Sequence, residues 1–384
     1  MTTMSKKELI SATKARYLKS GKKAKGKILD EFCAATGYAR KYAIAILAAG
    51  CNNDRVAQMG RKARERKYGS NVLLVVAKIW ELLDFPCGVR LQPSLPEMYD
   101  ALARHKEMAF NEKIKIQLAE IGAKTIDRRL KTERERRRLN RNRGATRHGS
   151  LLKSAIPIRI TDWDTSRLGF MEIDTVAHNG GDPSGECAFT LDVTEIYSGW
   201  TEQYAVLGKG EKGVLEALKN IRQSLPFSLK GIDGDNGGEI INYHMLQYCA
   251  KEKLVYTRSR PDRKNDNAYI EQKNDSHVRR IVGYGRYDTR RQVKQLNALY
   301  RNEYRLFTNL FRPVMKIKSK VKINNSVCRK TYDQARSPYQ RLLSCRQMKP
   351  ADKNKLTQLY LSLNPVQLKQ AIDRQTAKIR ATAK

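Results

Sequence analysis

Three carboxylates stand where they could do metal chemistry: Asp174 in MEIDT (171–175), Asp235 in GIDGDNGGEIIN (231–242) and Glu271 in NDNAYIEQKN (265–274). Three acids brought together can hold two divalent cations, because hard cations take oxygen ligands. Such a pair activates a water and steadies the leaving oxygen during attack on a phosphodiester, with no organic cofactor. The surrounding chain is strongly basic. Its 75 Lys plus Arg against 39 Asp plus Glu give a formal charge of +36, which favours a polyanionic partner. Metal-dependent cutting or joining of DNA is the chemistry these residues suggest.

Each acid has rivals. Glu172 and Asp192 fall on predicted strands like Asp174, Asp233 lies two residues from Asp235, and Asp266 and Asp275 flank Glu271. Gly234 and Gly237 predict a sharp turn that aims Asp235 from the carboxyl end of a strand. In this order and setting the three acids resemble the Asp, Asp, Glu triad of insertion-sequence transposases with a retroviral-integrase-type core. The family's second acid sits in a D-N-G-x-E turn, matched by Asp235, Asn236, Gly237 and Glu239. Its third lies on a helix with 35 residues between it and the second, as between Asp235 and Glu271, and its first ends a strand as D-T, matched by Asp174 and Thr175. The core resemblance covers roughly 158–315 and is looser outside it.

The resemblance implies a ribonuclease-H-like fold and two Mg2+ ions, for which Mn2+ substitutes. Asp174 and Asp235 would flank both ions and Glu271 would complete one shell. It implies a DNA partner in the form of element ends and target, hydrolysis at an element end and strand transfer without a protein–DNA covalent intermediate. Paired ends imply a homo-oligomer.

The elements that must position the acids are legible as patterns. Residues 169–178, 186–196 and 201–207 are β-rich runs separated by turns; 210–225 carries apolar residues at helical spacing. A strand (229–233), a helix (239–251), a strand (254–258) and a long helix (267 to about 282) follow. Three strands and then alternating helix and strand is the order of a ribonuclease-H-like fold.

Upstream, 24–50 reads as helix, turn at Gly37 and second helix, with Arg40 and Lys41 exposed for a major groove. A similar pattern in 114–138 turns at Gly122 and exposes Lys124, Arg128 and Arg129. Residues 71–84 read as a core helix, and Lys264 and Lys273 as cations near the acids. The expected fold class is multidomain. Helix-turn-helix regions occupy 1–68 and 69–133, a basic linker 134–157, the α/β integrase-type core 158–315, and a basic, mostly helical region 316–384. In the last, 308–323 suits a strand pair or an extended crossing. Residues 354–381 suit two helices, the second capped by Asn364 before Pro365.

Seven scattered cysteines without a CxxC predict reduced thiols and no structural zinc. Apolar runs are too short to span a bilayer and no signal-peptide pattern opens the chain, so a cytoplasmic, nucleoid-associated protein is expected. Three other functions fit parts of the chain. One is a non-catalytic helix-turn-helix regulator derived from a transposase, another a general ribonuclease-H-type nuclease. The third is a tyrosine recombinase, from His277 and Arg280 as HxxR with Tyr284 and Tyr287 following.

Overall fold

The computed structural model describes residues 3–48, 67–136, 166–234, 237–258, 270, 273–322 and 328–384. Asp235, Glu271 and Lys264 lie outside the described residues, as does most of the expected linker. The chain forms two compact units, Met1–Lys67 and Tyr68–Lys384.

The first unit holds α1 (Thr3–Lys19), α2 (Lys22–Thr36) and α3 (Arg40–Ala48). Tyr17, Ile28, Leu29, Phe32, Ala43 and Leu47 form its core. Gly37 adopts φ 71°, and its N–H closes the end of α2 on the Cys33 carbonyl. A left-handed residue at that position is what glycine supplies without a Cβ penalty.

The second unit opens with helices α4 (Ser70–Leu82), α5 (Leu95–Arg104), α6 (Glu112–Glu120) and α7 (Ala123–Arg129). Its centre is a sheet of β1 (Phe170–His178), β2 (Ala188–Glu195), β3 (Thr201–Leu207), β4 (Gly231–Gly234) and β5 (Val255–Arg258), in the order β3-β2-β1-β4-β5. β1, β2 and β3 are antiparallel, while β4 and β5 run parallel to β1. α8 (Glu211–Ser224) connects β3 to β4, and α9 (Tyr243–Lys251) connects β4 to β5.

Strand alternation gives the sheet two unlike faces. Met171, Ile173, Leu191, Val193 and Ile232 point to one and pack on α8 and α9 through Val214, Leu218, Ile221 and Met245. The other face meets a larger core that joins residues of α4 to α7 with α10 (Arg290–Leu299), α11 (Arg305–Leu310), α12 (Pro350–Ser362) and α13 (Pro365–Ala381). The second helical region is therefore continuous with the sheet unit rather than separate from it. Its Val76, Ile79 and Leu102 belong to the same buried cluster as Leu299, Phe307 and Ile372.

Asn364 caps α13 by accepting from the amides of Val366 and Gln367, and Leu368, Ile372 and Ile379 are buried within the unit. The stretch after residue 315 forms a two-stranded antiparallel hairpin, Ile317–Lys322 with Cys328–Tyr332. No helix among the described residues is long and apolar enough to cross a membrane.

Candidate active site

The sheet face opposite α8 and α9 carries a row of carboxylates. Glu172 pairs in register with Asp233 on β4, and Asp174 with Asp192 on β2. All of Asp174's strand-borne rivals thus share its face. Burial separates them: Glu172, Asp192 and Asp233 are each 0% exposed, whereas Asp174 is partly open. A closed carboxylate must be satisfied by protein groups, because water is excluded. Glu172 Oε2 accepts from the Ile270 amide at 3.2 Å, and Asp233 accepts from the Thr257 hydroxyl. Asp192 accepts from Gln203 Nε2 at 2.9 Å, and burial pushes its carboxyl up to about 7.

Both oxygens of Asp174 are oriented. Oδ1 accepts from the Thr175 amide at 2.7 Å and Oδ2 from Asn274 Nδ2 at 2.6 Å. These two bonds fix the direction in which the carboxylate faces.

The described neighbours of the other two acids lie against the same strand. Gly234, which precedes Asp235, pairs with Ile173 on β1. A Cβ on Gly234 would stand 2.3 Å from Ile240 Cγ2, so any side chain here would have to displace the buried Ile240. Beyond Asp235, the Ile241 amide donates to the Gly237 carbonyl, and Asn242 caps α9 through Met245 N. On either side of Glu271, Ile270 and Asn274 bond Glu172 and Asp174 respectively.

Asn274–Arg279 forms a wide π-type turn within the helix expected over 267–282. Single π turns of this sort recur at functional sites. Among the described residues no three His, Cys, Asp or Glu side chains are grouped to hold a metal. The donor chemistry at Asp174 nevertheless suits a hard cation, being oxygen alone.

The basic residues fall into three sets. Arg40 and Lys41 are exposed at the start of α3, where Arg40 pairs with Asp30. Lys124 and Arg128 are exposed on α7, with Arg129 half-buried. Lys273, expected as a phosphate-facing cation, is instead buried at 6% exposure, with its Nζ 3.4 Å from His277 Nε2. Burial pulls its ammonium down to about 7 against the attraction of Asp192. A lysine packed between helix and sheet cannot reach a phosphate on the surface.

The HxxR residues do not form a site either. His277 is 6% exposed and Tyr287 fully buried, the Tyr287 hydroxyl donating to the Val282 carbonyl, while Arg280 pairs with Asp275. Tyr287 could not attack DNA from that position; Tyr284 is exposed, with the Arg279 guanidinium over its ring. Asn274 is a site residue that the sequence pattern does not single out. It follows Glu271 by three positions in sequence, a spacing that on a regular helix would put the two on one face, and that spacing is the one signal pointing to it. Lys209 is another such residue; Thr175 and Glu239, by contrast, fall within the matched D-T and D-N-G-x-E motifs.

No protein-family model matches the chain. By structure it is similar to the catalytic core domain of BIV integrase, at 12% identity and a TM-score of 0.28, over 45% of this chain and 91% of that one. By sequence it is 36% identical over 324 residues to the uncharacterized protein y4rM of Sinorhizobium fredii (strain NBRC 101917 / NGR234), covering 84% of this chain and 91% of the relative. The chain therefore belongs to the same protein family as y4rM.

Proposed function

We propose that the protein is a metal-dependent transposase that cuts and joins DNA ends with Asp174, Asp235 and Glu271. One observation supports this most: the described chain on either side of Asp235 and Glu271 is held against β1 around the single partly open carboxylate of the row. Gly234 pairs beside Ile173, and Asn274 bonds Asp174 itself. The mixed sheet order, three antiparallel strands and then two parallel ones, agrees with a ribonuclease-H-like core.

Two Mg2+ ions, or Mn2+ in their place, would supply the activation of water or a DNA 3′-hydroxyl and the stabilisation of the departing oxygen. The protein's part is to hold oxygen donors in place. Asn274 and the Thr175 amide fix the Asp174 carboxylate, so that it is oriented before any substrate arrives. The exposed cations of α3 and α7 would follow DNA backbone, and α3, which follows the Gly37 turn, would serve as a recognition helix. Lys264 joins them as a candidate backbone contact. Binding of two ends by a homo-oligomer is part of the same proposal.

The test is strand cleavage and joining on labelled candidate ends drawn from DNA flanking the gene, with Mg2+, Mn2+ or EDTA, for wild type and Asp235→Asn. Metal-dependent nicking and joining should vanish in the variant while DNA binding survives. Binding alike in both proteins, with no cleavage under any condition, would leave a DNA-binding regulator instead.

A further inference from the structure

Glu239 is a buried carboxylate that the proposed triad does not use. Its side chain is 4% exposed, and its Oε1 accepts from the Thr175 hydroxyl at 2.7 Å and from the Lys209 ammonium at 3.0 Å. Thr175 is the residue after Asp174 on β1, and Lys209 lies in the loop after β3. Burying a carboxylate is costly unless charge and hydrogen bonds compensate it. Here the compensating hydroxyl belongs to the residue beside Asp174, and the compensating charge to Lys209.

The backbone shows why such a bond matters. The β1–β4 ladder ends at Ile173 with Gly234, so among the described residues no ladder hydrogen bond joins the two chains beyond that pair. Past Asp235 the turn is closed within itself. The Ile240 and Ile241 amides donate to the Gly237 carbonyl, and Asn242 Nδ2 donates to the Glu239 carbonyl at 2.8 Å. Ile240 and Ile241 anchor it in the apolar core under α9, and the Tyr256 hydroxyl donates to the Ile240 carbonyl. These contacts hold the turn to β5 and α9. The Glu239–Thr175 bond ties it to the strand that carries Asp174.

We propose that Glu239 is a positioning residue. Through Thr175, and with Lys209 balancing its charge, it fixes the turn that follows Asp235 against the Asp174 end of β1 and thereby sets the affinity for divalent cation. The cation part rests on the triad reading given above; the clamp itself does not.

Two readouts on the full chain separate the two. Hydrogen exchange of the amides at 237–242 reports the clamp, and calorimetric titration with Mn2+ reports the cation site. Thr175→Val should raise the exchange rates of that turn at least several-fold and weaken Mn2+ binding about tenfold, with the thermal midpoint little changed. Thr175→Ser, which keeps the hydroxyl, should restore both. Lys209→Met, altering a half-exposed side chain outside β1, should move both readouts the same way by less. Wild-type turn protection in Thr175→Val and Lys209→Met would overturn the clamp. Faster exchange of the turn with wild-type Mn2+ affinity in Thr175→Val would overturn its link to the cation. Asp235→Asn, titrated in parallel, isolates the triad reading: if it binds Mn2+ like wild type, that reading fails while the exchange result still decides the clamp.

Discussion

Asp192 and Lys273 show how burial can outweigh hydrogen bonds and neighbouring charge in setting side-chain chemistry. Both are closed off between the sheet and the helix that follows Glu271, and loss of water disfavours the charged form of each. For Asp192 the sign of the stability effect is fixed. Between the ordinary carboxyl value of 3.8 and about 7 the folded chain keeps a proton that the unfolded chain has released, so rising pH favours unfolding across that window. Asp192→Asn keeps an acceptor for Gln203 and removes the titration. Its stability relative to wild type should therefore increase by roughly 2–4 kcal/mol between pH 4 and pH 8, from a shift worth about 1.4 kcal/mol per unit. Urea midpoints at the two pH values check this; an unchanged difference would mean that Asp192 is ionised when folded. His178, buried against Thr190 and held down to about 3 by burial, acts oppositely, favouring unfolding as pH falls below the usual imidazole range.

Among the secondary-structure elements, the acid-bearing turn depends on one close approach. Gly234 ends β4 with Ile240 packed where a side chain would start, and Ile240 is itself fully buried. Gly234→Ala should cost about 1–3 kcal/mol, the usual range for overpacking, and should displace the turn more than the sheet. Chemical denaturation gives the first quantity, and hydrogen exchange at 237–242 compared with β2 gives the second. Equal loosening of both would place the strain elsewhere. The cap at Asn364 was readable from residue type, since short polar side chains before a helix satisfy its free amides; the helix expected from 239 starts instead at Tyr243, after its cap Asn242. The joining of α4 to α7 with the C-terminal helices was not readable. Val76 and Ile372 are far apart in sequence, and an amphipathic stripe says that a helix packs but not on what.

Across the chain as a whole, the charge of +36 is the dominant property, and it bears on partners rather than on fold. Binding to duplex DNA should weaken linearly in log affinity against log salt. Replacing Arg40 and Lys41 on the first unit with Ala should lower the slope by about 0.9 for each phosphate that is no longer neutralised. Fluorescence anisotropy over a salt series measures it. A slope unaltered by the double change would move the DNA-binding surface away from α3. Weaker base discrimination at constant slope would assign those residues to base edges.

Residue order alone was enough for the succession of strands and helices along the core, the Asn364 cap and the basic character, because each follows from local chemistry and spacing. It also marked Asp174 together with Glu172, Asp192 and Asp233 as acids on or beside strands, without separating them. Period-two alternation sends all four to one face, and only packing decides that Asp174 alone stays partly open. Packing likewise decided that Lys273 is interior, since a lone charge in sequence does not reveal which side of its helix meets the sheet. Asn274 and Glu239 took on their roles only through contacts between segments 100 and 64 residues apart, and long-range contact is what residue order leaves undetermined.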